Sequence, residues 1–446
     1  MSNCAPPLGA GPQPVILALM RTVAVIGAGA KGIAIAAKAR ALADAGLGPP
    51  RVVLVERGTP AGTWTGGQGY TSGLLPLGTP PEKDVGYPYP ESWGAASAAV
   101  TGAMMAYSWH RNLIAHGAYA DWVDRGRLRP THREWGAYLR EVAVKCGAEI
   151  VSGEVTGIEA GSEGEGGRWR LALSGGGVLE ADGVVVTGAG PPVRLPGQPD
   201  DHPLVLDGRT YWQHADDLNG RALSICVIGS GETAAWVVIG LAKRCHERST
   251  IDVLTSRGVL YSRGESYDEN RFYSDPGDWP RLAESHRRDF LERTDRGVFS
   301  VQAEATLNQL GGFRTLAGRA LHIEAGQRQV VVTVGYGPDR ERVAYDLVVV
   351  ARGFDGHWFE RLLGEESGRR LAAARDGDEL ERRVGVDLSV AGLEPPLHVP
   401  VLAGLAQGPG FPNLSCLGLL SDRVLRRYVP LSPAAAPPVT ERSHRA

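Results

Sequence analysis

The chain has 446 residues, 43% of them hydrophobic, and a formal net charge of −3, which allows roughly two or three domains of ordinary soluble character. With no basic field, neither nucleic acid nor an anionic membrane is an expected partner, and small molecules are. The cysteines lack Cys-x-x-Cys spacing and the histidines form no His-Glu-x-x-His pattern, so no metal and no disulfide framework are expected; a reducing cytoplasm fits.

Residues 1–19, rich in Pro, Gly and Ala, read as a disordered extension or as an upstream start ahead of Met20. No segment offers the ~20 uninterrupted apolar residues of a membrane-spanning helix. The run Val23-Ala24-Val25-Ile26 then enters Gly27-Ala28-Gly29-Ala30-Lys31-Gly32, a strand feeding a G-x-G-x-x-G turn and an alanine-rich helix expected to begin near Ile33. Such a turn lets a dinucleotide pyrophosphate approach backbone N–H groups at a helix N-terminus. Gly27, Gly29, Ala30 and Gly32 are therefore candidate cofactor contacts. A second buried strand, Arg51 to Arg57, ends in Glu56 at the spacing that sets a carboxylate on an adenosine ribose, with Arg57 beside it.

From Gly58 to Pro90 the chain is dense in Gly, Pro, Thr and aromatics, as long structured loops with a function commonly are. Trp64 and Gln68 in this loop are candidates to line a flavin. A helix is expected over 131–147, short strands over 150–190, and a buried strand Gly183–Val186 turning at glycine. The second strand-turn-helix unit is Ile225-Cys226-Val227-Ile228-Gly229-Ser230-Gly231-Glu232-Thr233, which makes Gly229, Ser230, Gly231, Glu232 and Thr233 candidates for a second dinucleotide. Its next strand, Ile251 to Thr255, is followed by Ser256 and Arg257 instead of an acid. A hydroxyl and a planar guanidinium suit the 2′-phosphate of NADPH. Residues 262–320 read as short helices, and the strand from Tyr345 to Phe354 is expected to return the chain to the first domain. In the last helix Ser421 is the expected N-cap, with Asp422 in its first turn.

Taken in order, the first fingerprint, the Trp64–Lys83 loop, the second fingerprint, Ala351-Arg352-Gly353-Phe354 and Leu420-Ser421-Asp422 resemble the flavin-dependent N-hydroxylating monooxygenases. That family hydroxylates the side-chain amine of lysine or ornithine for siderophores, and the resemblance covers residues 20–430. The loop Leu77-Gly78-Thr79-Pro80-Pro81-Glu82-Lys83-Asp84-Val85-Gly86-Tyr87-Pro88-Tyr89 is similar to the mycobactin- and nocobactin-type lysine hydroxylases. The resemblance implies an α/β protein of two Rossmann-like dinucleotide-binding domains, for FAD and NADPH, with a small substrate-binding subdomain. Residues 20–206 and 346–446 would bind FAD, and 207–345 NADPH, with the helical substrate segment at about 262–320.

It further implies that Lys83 pairs with the substrate α-carboxylate, that Asn270 and Ser421 contact substrate, and that Leu420 and Asp422 contact cofactor. NADPH would reduce FAD, and O2 would be activated as a flavin hydroperoxide that an amine attacks, giving a hydroxylamine; no side chain is assigned a catalytic role. Relatives of this type assemble as homo-oligomers, but no patch in the sequence marks an interface. Two departures from the ornithine enzymes, Gly78 for a glutamine and Val298-Phe299-Ser300 for Asn-Tyr-Ser, disfavour ornithine, while another amine stays open beside lysine. They also leave open a catalytically inactive nucleotide-binding scaffold. A Baeyer–Villiger or sulfur-oxidising flavin monooxygenase would carry F-x-G-x-x-x-H-x-x-x-[WY]-P between the fingerprints, of which Thr210-Tyr211-Trp212-Gln213-His214 is a partial echo.

Overall fold

The computed structural model describes residues 20–161, 167–188, 190–375 and 379–429. The expected extension at 1–19 lies outside the described residues, as does most of the glycine-rich stretch after Gly161. Two parallel five-stranded sheets organise the molecule. The first runs Leu397–His398, Gly183–Val186, Thr22–Ile26, Arg51–Glu56, Glu149–Ser152. Its central strands are continuous apolar runs buried on both faces, the pattern a helix-covered parallel sheet demands. Helix Ala30–Asp44 lies against it and packs in turn on the terminal helix Leu417–Arg426. The helix begins at Ala30 and not near Ile33, so the last glycine of the turn is already helical.

The second sheet runs Arg314–Ala317, Thr250–Thr255, Ser224–Ile228, Leu347–Val350, Val205–Asp207. Two expected boundaries shift as a result. Val205–Asp207 pairs with Leu347–Val350, and the latter pairs with the Ser224–Ile228 strand of the second glycine unit. The strand expected to return the chain to the first sheet thus completes the second, and the crossings fall before Val205 and after Val350. The cause is local ambiguity: Leu-Val-Val-Val reads as a fully buried parallel strand in either sheet, and only pairing assigns it.

One face of the second sheet carries helices Glu232–Arg244 and Val301–Leu310, and the other an antiparallel sheet of Arg319–Ala325, Val330–Tyr336 and Asp339–Tyr345. The helical segment expected to reach residue 320 ends at Leu310, because Arg314–Ala317 is an edge strand. Its helices Tyr267–Ser274 and Glu284–Thr294 stand between the two units, where Trp279, Leu291 and Leu405 form a small core of their own. A helix at His132–Lys145, started by a Thr131/Glu134 capping box, matches the expected one.

Candidate functional site: a cleft between two glycine turns

In the first turn each glycine has its own reason. Gly27 has φ of +105°, where a side chain is strained. A Cβ on Gly32 would collide with the Gly27 carbonyl, so helix and turn can approach only there. A Cβ on Gly29 would meet nothing within 4 Å. Gly29 is also the helix N-cap and supplies no side-chain acceptor, so open space lies over N–H groups that a side chain leaves uncapped. This is the arrangement a pyrophosphate needs, and it fits FAD.

Glu56, at the end of its strand, accepts from Ala28 N (2.9 Å) and Gly58 N (2.9 Å), which sets its carboxylate beside the turn. Arg57 is exposed and engaged by Glu154 at 3.2 Å. The loop that follows folds back over the turn through Ala61 N to Ala28 O. Gln68 lies against Gly58 and Gly62, where a Cβ would strike its amide. Trp64 stands edge-on to His132 at 5.0 Å. His132 is hydrogen-bonded to Thr71 Oγ1 at 2.8 Å and burial lowers its pKa to about 4, so it is a neutral brace for the loop.

Lys83 is presented by a built turn. Asp84 is buried and accepts from Gly86 N (3.1 Å), Tyr89 OH (2.9 Å) and Trp109 N (2.8 Å), while Lys83 N donates to Pro80 O. Burial raises the Asp84 pKa to about 6. The half-buried Lys83 ammonium has no recorded hydrogen bond or ion pair among the described residues; its recorded contact is the Tyr87 ring, 5.6 Å from centroid to Nζ. Burial lowers its pKa, with Arg263 and Arg129 adding to the shift and Cys416 and Glu265 opposing it. An unpaired, half-desolvated cation is costly unless an anion comes to meet it.

The terminal helix departs from the expected cap. It starts at Leu417, a turn before Ser421. Ser421 is fully buried and its hydroxyl donates to Leu417 O at 2.8 Å. Asp422, 2% exposed, pairs with Lys38 at 2.7 Å and accepts from Trp93 Nε1 at 2.8 Å and from Ser92. Leu420 is fully buried. All three are buried, and Asp422 reaches Lys38 of helix Ala30–Asp44. What the helix start brings to the Lys83 loop is Gly418, whose N–H donates to Tyr87 O at 2.7 Å and whose Cβ would collide with the Gly86 and Tyr87 carbonyls. The buried Cys416 thiol, pushed up to about 12, precedes it. Nearby, Lys31 is buried, donates to Pro412 O and is lowered to about 8 by burial. Both escaped the sequence reading, since neither residue type is distinctive at those positions.

The second turn repeats the logic of the first. Gly229 has φ of +143° and its Cβ would strike the Ala351 carbonyl. Gly231 caps helix Glu232–Arg244 without a side chain, Ser230 Oγ donates to Gly297 O at 3.1 Å, and Thr233 packs on Gly208. Glu232 accepts from Ser300 N, from Ser300 Oγ (2.8 Å) and from Trp236 Nε1 (2.9 Å), and its Oε1 is 3.8 Å from where a Gly78 Cβ would stand. The second turn therefore reaches the base of the Lys83 loop. Ser256 is exposed. Arg257 lies over the Tyr261 ring (5.1 Å), near Gly297, and pairs with Glu292 at 3.4 Å. Asn270 is exposed, and its amide donates to Glu265 O at 2.8 Å, which makes it a brace. Among the described residues, no group of three or more His, Cys, Asp or Glu side chains could hold a metal ion, and no helix is long and apolar enough to cross a membrane.

Two parallel sheets, each with an uncapped glycine turn, and an unpaired lysine between them define a two-dinucleotide flavoprotein of the monooxygenase type. The model of the L-lysine 6-monooxygenase/L-ornithine 5-monooxygenase family matches residues 100–334. The L-lysine N6-monooxygenase MbtG of Mycolicibacterium paratuberculosis is 41% identical over 91% of this chain and 95% of its own. That of Mycobacterium tuberculosis is 41% identical over 91% and 94%. The solved lysine monooxygenase NbtG from Nocardia farcinica superposes with a TM-score of 0.79 at 40% identity, covering 91% of this chain and 100% of that one. This chain belongs to the lysine/ornithine monooxygenase family. An ornithine N-hydroxylase of Kutzneria sp. 744, 18% identical with a TM-score of 0.73, shares the fold.

Proposed function

We propose that this protein is an FAD- and NADPH-dependent monooxygenase that hydroxylates the ε-amine of L-lysine, in siderophore or related specialised metabolism. The observation that supports it is the half-buried Lys83 ammonium, without a recorded hydrogen bond or ion pair among the described residues, on an Asp84-braced loop whose Gly78 lies beside Glu232 of the second turn. The first turn, with Glu56 beside it, would hold FAD; the second, with Arg257, would hold NADPH. FAD, once reduced, supplies the oxygen activation for which no side-chain constellation is needed.

What the chain does is positioning. Lys83 would fix the substrate carboxylate by a charge-assisted contact, and an end-on lysine then spans the cleft with its far amine held at a defined place. Free lysine carries an amine pKa of ~10.4, so it arrives charged and poorly nucleophilic. Desolvation in the cleft favours the neutral amine, provided no carboxylate meets it there.

The test follows NADPH oxidation with lysine, ornithine and diamines, assaying hydroxylamine separately from peroxide. Lysine-stimulated hydroxylamine is expected; a preparation that cannot be loaded with FAD, or that gives peroxide alone with every amine, would end the reading. Lys83→Ala removes a contact worth about 1.5–3 kcal/mol, so the lysine KM should rise at least about tenfold while FAD is retained. An unchanged KM removes Lys83 from the site.

A further inference from the structure

We infer that Glu265 receives the α-ammonium of the substrate, so that Lys83 and Glu265 together read the zwitterionic end of a free amino acid; this rests on the proposed amine N-hydroxylase reading. The cluster is tied to the Lys83 loop by hydrogen bonds. Gly78 O accepts from Arg129 Nη1 and from Arg263 Nη2 (3.4 Å), so both guanidiniums are fastened to the start of the turn that presents Lys83 five residues later. Arg263 then donates through Nε (3.0 Å) and Nη2 (2.8 Å) to one oxygen of Glu265, Oε1. Both bonds fall on the same atom, and Oε2 has no recorded hydrogen bond. The two side chains are 28% and 26% exposed, accessible to a ligand yet ordered.

The backbone is held on both sides of the pair. Arg263 N donates to Phe299 O (2.7 Å), Glu265 O accepts from Asn270, and Ser266 opens the next helix with a capping box. A carboxylate with one oxygen spent on an arginine and the other free can take a ligand ammonium without losing its brace.

Charge sorting gives the arrangement its use. Lys83 stands on the loop that Arg129 and Arg263 grip at Gly78 O, so three positive charges gather there, and Glu265, hydrogen-bonded to Arg263, is the acid joined to them. A substrate carboxylate at Lys83 would carry its own α-ammonium one tetrahedral carbon away, for Glu265 to receive. The predicted substrate class is therefore the free α-amino acid. Acylated lysine, des-amino and des-carboxy analogues should be poor.

The experiment compares L-lysine, 6-aminohexanoate and Nα-acetyl-L-lysine with the FAD-loaded enzyme, reading KM and kcat for hydroxylamine. Wild type should favour L-lysine at least tenfold in kcat/KM over both analogues. Glu265→Gln should raise the L-lysine KM at least tenfold while the KM for 6-aminohexanoate moves less than twofold. Equal rises for both substrates would make Glu265 a brace for Arg263 only and overturn the proposal. So would an unchanged L-lysine KM. Wild type accepting 6-aminohexanoate or Nα-acetyl-L-lysine as well as L-lysine overturns it even if the variant does not fold. If L-lysine itself is not hydroxylated by wild type, the parent reading fails instead.

Discussion

Asp84 and Asp422 show how unlike two buried acids can be. Asp422 has a full counter-charge in Lys38 and two further donors, whereas Asp84 has three neutral donors and no cation in ion-pair contact. Burial dominates at Asp84 and raises its pKa from 3.8 to about 6. A raised folded pKa means that the native state binds this proton more tightly than the unfolded chain does. The stabilisation from this group is full below pH 3.8 and is lost as pH rises through about 6. Asp84→Asn cannot titrate, so the stability of wild type relative to the variant should be greater near pH 4 than near pH 7, by on the order of 3 kcal/mol at ~1.4 per unit. Urea denaturation at the two pH values measures it, and a gap that is equal or reversed refutes it. Residue roles were unevenly legible. Lys83 could be singled out because its flanking prolines and glycines have a distinctive order. Ser421 could not, because a serine hydroxyl serves equally as an N-cap or as a bond to the carbonyl four residues back. Taken as the cap, it would start the helix a turn late.

At the scale of elements, both strand-turn-helix units were legible, because glycine is required there for reasons of backbone and space that the motif spacing encodes. The structure separates those reasons into distinct expected phenotypes. Gly29→Ala adds a methyl that meets no protein atom, so the apo-protein should keep its stability while FAD retention, read as the ratio of flavin to protein absorbance, falls sharply. Gly32→Ala drives a methyl into the Gly27 carbonyl, an overpacking that costs about 1–3 kcal/mol and should lower both stability and flavin content. If Gly29→Ala keeps its flavin, the open space above that helix is not where the cofactor lies. Sheet membership was the part that could not be read. Leu347–Val350 and Gly183–Val186 are both four-residue apolar runs buried throughout, and nothing local distinguishes the sheet each joins. Pairing is decided by what lies between them, including the antiparallel sheet that packs on the back of the second unit.

Across the whole molecule the Lys83 loop is joined to both units. Glu232 of the second turn reaches Ser300 and the neighbourhood of Gly78, and Arg263 of the inserted segment is bound to Gly78. The proposed substrate anchor would thus be assembled from chain segments almost 200 residues apart in sequence, with 185 separating Arg263 from Gly78. That explains why Glu265 and Arg129 were invisible beforehand while Lys83 was not: their meaning arises from convergence, which no spacing rule encodes. Division of labour also predicts independent failure. Arg257 stands near the second turn, stacked on Tyr261 and lightly paired with Glu292, at the strand end where an NAD enzyme would carry an acid. A phosphate would compete with Glu292 for its fork of donors. Arg257→Ala should therefore raise the KM for NADPH at least about tenfold, the loss of a charge-assisted contact of about 1.5–3 kcal/mol. The KM for NADH, the lysine KM and the bound flavin should stay near wild type. Initial rates with each nicotinamide, at saturating lysine, read this directly. Equal losses with NADPH and NADH would mean that Arg257 supports the turn itself and leaves the choice of nucleotide to other groups.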